Sequence, residues 1–509
     1  MRYLLFAVSV LLFTSPAAAR WHVAQTDHFI VYSDDGSEKT TQFAEQLERF
    51  DAAMRTMQNM PPDTAAKGKR LTIYRFGTTD DIARLYGAPE SGVAGFFIPR
   101  ANGSVAFVPS RESYSGTPGV RDENDSLLNS RIILFHEYTH YFMFNYFPAA
   151  YPAWYVEGFA EVYSTADFLD NGAFRIGEPA NHRGMQLFYD TPYPVKVLFK
   201  AKQRPEDTRF YYSIGWLLTH YLTFTPSRSG QLKKYLVAVN SGVPSAVAAK
   251  QAFGDLDRLN ADIQNYKTSR LIGIEVKPAH PVTPRVTTRE LTDAEAAIIM
   301  SKIRSDRGVD KKSAPDVAAE ARQRARAYPT NAFVQNELAE AELDAGNLDA
   351  AEAAADRSLA ADPAGVDALI YKGDIRMKRA KKDRSQFAEA RNWFIKANRL
   401  NPDNPEPLID YYLTFEKAGE HPPEIAVLGL QRAFELARFD GSVRLLLARQ
   451  LLTEGRAKPA RTLLGPVAYS AHGGKLKDAA AKAIDQIDSN NLQAAIAAAD
   501  KQLGDDSES

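Results

Sequence analysis

His136-Glu137-Tyr138-Thr139-His140 places two imidazoles four residues apart, with a carboxylate directly after the first. On a helix that spacing leaves the two rings about 40° apart on one face, one turn from each other. Both can then reach a single divalent ion about 2.0–2.1 Å from each nitrogen. Glu137 lies about 100° round from His136, too far to share that ligand geometry and near enough to hold a water on the ion. The bland alternative is a surface helix that carries two histidines by chance. Ile132, Ile133, Phe135 and Phe142 weigh against it. They imply a buried helix, and burying two imidazoles and a carboxylate without partners is costly.

Catalytic zinc takes three protein ligands and keeps one open position, and the chain has no cysteine to offer. The segment PAWYVEGFAEVYS supplies carboxylates instead. Glu157 follows His140 by 17 residues, beyond breaks at Phe147-Pro148 and Tyr151-Pro152. It sits on a second helix that can return antiparallel and aim at the ion. Glu161, one turn further on the same face, is placed to accept the second N–H of a ligand imidazole. Gly158 removes a side chain where these two helices must approach. Glu157 would otherwise be an ordinary acid near a helix N-terminus, favoured by the dipole.

HEYTH followed by PAWYVEGFAE resembles the gluzincin metallopeptidases, especially a bacterial exported group in which this core is joined to tetratricopeptide repeats. The resemblance covers roughly residues 20–270. It implies an α+β fold: a zincin-like domain with a small β-sheet and a helical active-site subdomain, followed by an all-α solenoid. It implies one zinc per chain on His136, His140 and Glu157, with Glu137 as general base and Glu161 supporting a ligand from behind. The thermolysin-like form of the pattern has a longer spacer, and an Asp where this chain has Glu161. Peptide hydrolysis also needs a donor for the developing oxyanion. The stretch Phe210 to His220 looks like the family helix whose tyrosine has this role. Tyr212 fits best by position, with Tyr211 and His220 as alternatives. Two His and a carboxylate also suit other divalent metals. The rival reading is a catalytically silent zinc-binding protein that acts through its repeats as a scaffold or adaptor.

Other elements must position these residues. Phe43, Leu47, Phe50 and Met54 share one face of a helix over Lys39–Gln58. His28–Ser33 and Leu71–Phe76 read as strands, and Gly95–Pro99 with Ser104–Val108 as a hairpin around Ala101-Asn102-Gly103. One edge of that hairpin is expected to take an extended peptide by main-chain pairing, either Gly92–Phe97 or Ser104–Val108. Helices are expected over Leu127–Tyr146, Ala153–Asp167, Phe210–Phe224 and Gly230–Val239. Pro278, Pro281 and Pro284 then suggest extended chain. Residues 276–315 are expected to be a linker with one short helix.

From residue 316 the sequence repeats. Ala339, Gly346, Ala351 and Pro363 match the small-residue and proline positions of a tetratricopeptide unit. Ala390 and Pro402 fall 39 residues after Ala351 and Pro363. The usual period is about 34, which places an insertion near Lys378–Arg384. Gly419 and Gly455 mark the turns of two further units. An Ala-rich helix over Lys475–Leu503 is expected to cap the array, and 504–509 to be a disordered tail. Such a solenoid offers a groove to a protein partner.

The chain has 509 residues, 62 Lys plus Arg against 63 Asp plus Glu, and nine His. A hydrophobic fraction of 45% with 25% charged residues excludes global disorder. A formal charge of −1 gives no basic excess for a nucleic-acid partner. The lack of cysteine removes disulfides, thiolate zinc sites and cysteine nucleophiles. Arg2, the apolar run Tyr3–Phe13 and Ala17-Ala18-Ala19 read as a signal peptide over residues 1–19, cleaved after Ala19. The expected product is periplasmic or secreted, with no transmembrane segment after cleavage and a peptide or protein as substrate.

Overall fold

The computed structural model describes residues 20–61, 70–89, 93, 95–111, 130–189, 193–200, 209–469 and 474–506. The expected signal peptide, Gly92, the helix start at 127–129 and Ser507–Ser509 lie outside them. The chain begins β1 (His22–Gln25), β2 (Phe29–Ser33), α1 (Ser37–Met57), β3 (Leu71–Arg75), α2 (Thr79–Tyr86), β4 (Phe96–Ile98) and β5 (Val105–Val108). Next come α3 (Ser130–Tyr146), α4 (Ala153–Ser164), β6 (Asp167–Phe168), β7 (Phe174–Ile176), α5 (Gly184–Tyr189) and α6 (Arg209–Phe224). They are followed by α7 (Gln231–Asn240), α8 (Ser245–Phe253), α9 (Leu256–Lys267), β8 (Ile274–Val276), β9 (Thr287–Glu290) and α10 (Asp293–Arg307).

Alternation along the strands sorts side chains to two faces of a six-stranded sheet, ordered β4-β5-β3-β2-β1-β9. β2, β3 and β5 run parallel, while β1, β9 and β4 are antiparallel to their neighbours. Val31, Leu71, Ile73 and Ala106 enter the main core with α1 and α3. There the Phe50 and Phe135 rings stack 3.9 Å apart. On the other face Val23, Tyr74, Val105 and Phe107 pack with Ile299 and Ile303 of α10. A small sheet, β6-β7-β8, lies apart from the first.

The expected linker over 276–315 is corrected by this arrangement. Thr287–Glu290 pairs with β1 as an edge strand, Ala24 opposite Thr288, and α10 covers a sheet face. Pro278, Pro281 and Pro284 do lie in extended chain, but the strand after them belongs to the front sheet, and α10 packs both on that sheet and on α11 and α12. Of the two segments considered as a peptide-binding edge, β4 is the one at the sheet edge, because β5 is paired on both sides.

Helix pairs follow: α11 (Ala314–Ala325), α12 (Ala332–Asp344), α13 (Leu348–Ala361), α14 (Val366–Arg379), α15 (Gln386–Leu400) and α16 (Glu406–Lys417). The array ends with α17 (Glu424–Leu436), α18 (Gly441–Thr453), α19 (Ala457–Ala468), α20 (Lys475–Asp488) and α21 (Leu492–Asp506). This is the alternation expected of tetratricopeptide repeats. Fully buried Ala339, Ala351, Ala390, Ala426, Ala433 and Ala460 let the helices close on one another. Gly346, Gly419 and Gly455 turn the chain between paired helices at φ of +76°, +65° and +76°. The α14–α15 turn lacks that glycine and takes the inserted residues, Ala380–Ser385. The single capping helix expected at the end is a pair, α20 and α21, and α21 continues to Asp506, into the expected disordered tail. Among the described residues, no helix is long and apolar enough to cross a membrane.

The array meets the front unit in several places. Lys302 of α10 reaches Asp306 at 3.4 Å and Glu337 of α12 at 3.3 Å. Far along the chain, Asp440 accepts the Ala101 N–H of the β4–β5 turn at 2.7 Å, and Phe439 packs on Tyr141 of α3 with centroids 4.9 Å apart.

Candidate metal centre and cleft

α3 is a largely buried helix, and Tyr138, Thr139 and Tyr146 on it are each held. Tyr138 donates to Asp51 at 2.7 Å, and Asp51 is paired with Arg55, whose side chain also reaches Tyr146. Thr139 Oγ1 bonds back to the Phe135 carbonyl at 2.7 Å. These contacts lock the rotation of α3 against α1. With that rotation set, His136 and His140 face α4 together.

His136, His140 and Glu157 each turn one ligand atom to a common point, and all three are buried. The two Nε2 atoms are 3.1 Å apart. Glu157 Oε2 lies 3.3 Å from His136 Nε2 and 3.5 Å from His140 Nε2. Two donors held about 2.0–2.1 Å from one tetrahedral ion are about 3.3–3.4 Å apart. The observed separations bracket that value, so the donor set fits a zinc-like ion on size, ligand type and geometry. Other His, Asp or Glu groupings of this kind are absent among the described residues.

Glu161 sits where the spacing placed it: its Oε1 is 3.2 Å from His136 Nδ1. Two further partners have no signal in the sequence. His182 Nε2 lies 2.7 Å from Glu161 Oε2, and the Arg183 guanidinium donates to Oε1 at 2.5 Å and 3.0 Å. Burial would raise the Glu161 carboxyl, but His136, His182 and Arg183 hold it well below the usual range. Burial lowers His136, yet Glu157 and Glu161 outweigh it and push the imidazole up to about 10. The centre of the site therefore favours positive charge. His182 and Arg183 lie in a short 3₁₀ turn after β7, so no helical spacing in the sequence could have tied them to α4.

α6 crosses α4 at very short range. A Cβ on Gly158 would stand 2.3 Å from the Gly215 carbonyl oxygen, and one on Gly215 would stand 2.5 Å from that of Trp154. This corrects the reading of Gly158: the close neighbour is α6, not α3. The crossing brings Tyr212 to the site, its ring centroid 5.8 Å from that of His136 and 4.8 Å from the Arg183 guanidinium carbon. Burial, with Glu157 and Glu137 adding to it, raises the Tyr212 phenol, so it keeps its proton at neutral pH. The alternatives separate. His220 is fully buried and engaged at both nitrogens, with the Gly177 carbonyl at 2.8 Å and Tyr266 Oη at 2.8 Å. Tyr211 packs against the main core.

Glu137, His140 and Tyr212 line a cleft of about 880 Å³. Edge strand β4 gives one wall through Phe96, Phe97 and Ile98. The array lines the cleft too, through Phe439–Ser442, Arg444, Pro466 and Leu476.

No protein-family model matches the chain, and no curated protein does. Similarity to solved structures is limited, as two of those that match illustrate. PilF of Pseudomonas aeruginosa is 17% identical with a TM-score of 0.33, over 40% of this chain and 88% of that one. TTC0263, a thermophilic TPR protein of Thermus thermophilus, is 16% identical with a TM-score of 0.32, over 37% of this chain and 97% of that one.

Proposed function

We propose that the protein is an exported zinc-dependent metallopeptidase of the gluzincin kind, with a tetratricopeptide array that contributes to substrate or partner binding. The observation that carries this reading is the triangle of His136 Nε2, His140 Nε2 and Glu157 Oε2, with Glu137 beside it in an open cleft. A purely structural metal site has no use for a carboxylate in Glu137's position.

An ion held by His136, His140 and Glu157 would supply Lewis-acid polarisation of the scissile carbonyl and would acidify a water. The chain's own residues do the rest. Glu161, fixed by His182 and Arg183, holds His136 with Nε2 directed at the centre. Glu137 takes a proton from the attacking water and passes it to the leaving amine. Tyr212 Oη donates to the carbonyl oxygen as negative charge builds there. β4 offers edge backbone groups to an extended peptide along the cleft it lines.

Elemental analysis tests the reading directly. Mature wild type is expected to bind one zinc per chain and to hydrolyse a mixed peptide library in a chelator-sensitive way. His140→Ala is expected to lose both. A wild type that takes up no zinc when zinc is supplied would overturn it.

A further inference from the structure

The cleft beyond the metal centre is cationic. Among the described residues that line it, Arg100, Arg307 and Arg444 stand against the carboxylates Glu137 and Asp440. Asp440 is already occupied, accepting from Ala101, Ser442 and Val443 N–H groups. The arginines are held by backbone carbonyls, which do not cancel their charge. Arg100 donates to the Gly103 and Asp306 carbonyls, and Arg307 to those of Gly308 and Tyr86. Arg444 donates its Nε to the Arg438 carbonyl at 2.5 Å. Among the described residues, none of the three has a carboxylate within ion-pair distance.

Arg444 is the most exacting of them. The residue is only 4% exposed, and its buried Nη2 meets no acceptor among the described residues. Burial and nearby Arg438 outweigh the charge of Asp440 and pull the guanidinium down to about 10, which still leaves it charged at neutral pH. A buried guanidinium with an unused N–H is costly unless an anion completes it. It lines the same cleft as Glu137 and His140, on a wall that the front unit cannot supply.

We propose that this cleft selects peptides bearing a carboxylate, and that Arg444 receives it while Arg100 and Arg307 supply the attracting field. The inference rests on the peptidase reading for what is bound, and deepens it by naming the substrate class. The repeat array is then part of the substrate site, not only a recruiting module. The carboxylate is either an acidic side chain or a free C-terminus, since both present the same planar pair of oxygens to the fork.

The test uses four N-acetylated peptides of one length: internal Glu with an amidated end, internal Gln with a free end, internal Gln amidated, and internal Lys amidated. Binding to the zinc-loaded Glu137→Gln protein is read by calorimetry, so that turnover does not intrude. At least one carboxylate peptide is expected to bind about tenfold or more tighter than the Gln amide, and the Lys peptide weakest. Which carboxylate peptide wins identifies the source. The preference is expected to shrink between low and high salt and to vanish in Arg444→Met. If Arg444→Met does not fold, Arg444→Lys keeps the charge without the fork and is expected to lose most of the preference. Equal binding of all four, or a preference unchanged in a folded Arg444 variant, overturns the proposal. Wild-type turnover separates the two claims. Hydrolysis without carboxylate preference sinks this inference alone, whereas Arg444-dependent binding without hydrolysis sinks the peptidase reading alone.

Discussion

Gly158→Ala asks whether the α4–α6 crossing really holds the site together. In an open helix, Gly to Ala stabilises by about 1 kcal/mol through backbone entropy. Here the added methyl would stand 2.3 Å from the Gly215 carbonyl oxygen and 2.4 Å from Thr219 Oγ1. Ordinary contact begins near 3.4 Å, so the helices must part by about 1 Å, against backbone that cannot rotate away. Overpacking of this kind costs about 1–3 kcal/mol, and an overlap this deep belongs at the upper end. The net effect is destabilisation by about 2 kcal/mol, or a Tm lower by about 4–8 °C for a unit of this size. Parting α6 from α4 also carries Tyr212 away from Glu157 and its neighbours, so turnover should fall about 100-fold. The control is Gly429→Ala in α17, where the nearest atom, Leu408 Cδ2, is 3.7 Å from the new methyl. That variant should be neutral or up to about 1 kcal/mol more stable. Differential scanning calorimetry of the two variants reads the contrast, and a Gly158→Ala protein as stable as Gly429→Ala would refute the packing argument.

Three further outcomes are expected. Glu161→Gln should weaken zinc affinity about 10–100-fold in a chelator competition, because His136 loses the anion that orients it; unchanged affinity would contradict that role. Tyr212→Phe should lower kcat about 100–1000-fold with zinc content intact, and a kcat within a factor of about three of wild type would remove the phenol from the reaction. The repeat array should be more stable at pH 5.5 than at pH 8. Burial pushes Glu337 and Asp410 up to about 7, and raises Glu340, Asp374 and Glu406 as well. Carboxyls raised above their unfolded value of about 4 stabilise the fold at low pH and lose that contribution as pH rises through the folded value. Within the array Glu352, raised by burial but lowered more by Lys372 and Arg379, and Asp488, lowered by Arg461, oppose this. Helical circular dichroism should melt at a higher temperature at pH 5.5, and a lower Tm there would reverse the assignment.

What can be read from the sequence is mostly local. The 3.6-residue period puts His136 and His140 on one face of α3 and Glu157 and Glu161 on one face of α4, and the packing of the two helices brings the faces together. The repeat insertion is legible from the period, because Ala390 and Pro402 fall 39 residues after Ala351 and Pro363 where about 34 is usual, and the α14–α15 connection takes the extra residues. The misses are tertiary. Thr287–Glu290 reads as linker because its role as an edge depends on β1, hundreds of residues earlier. His182 and Arg183 reach Glu161 from a 3₁₀ turn with no periodic signal. The meeting of Asp440 with Ala101 joins residues 339 apart, so nothing in either segment announces that the array walls the cleft. Gly158 is recognisable as a point of close approach, but the sequence holds no means of choosing between α3 and α6 as its neighbour.

The most direct test of the central claim compares peptide hydrolysis by wild type and Glu137→Gln, both carrying one zinc per chain. The account predicts that Glu137→Gln keeps its metal and its peptide affinity while kcat falls by about 100-fold to 10,000-fold. Equal turnover by the two zinc-loaded proteins would contradict it.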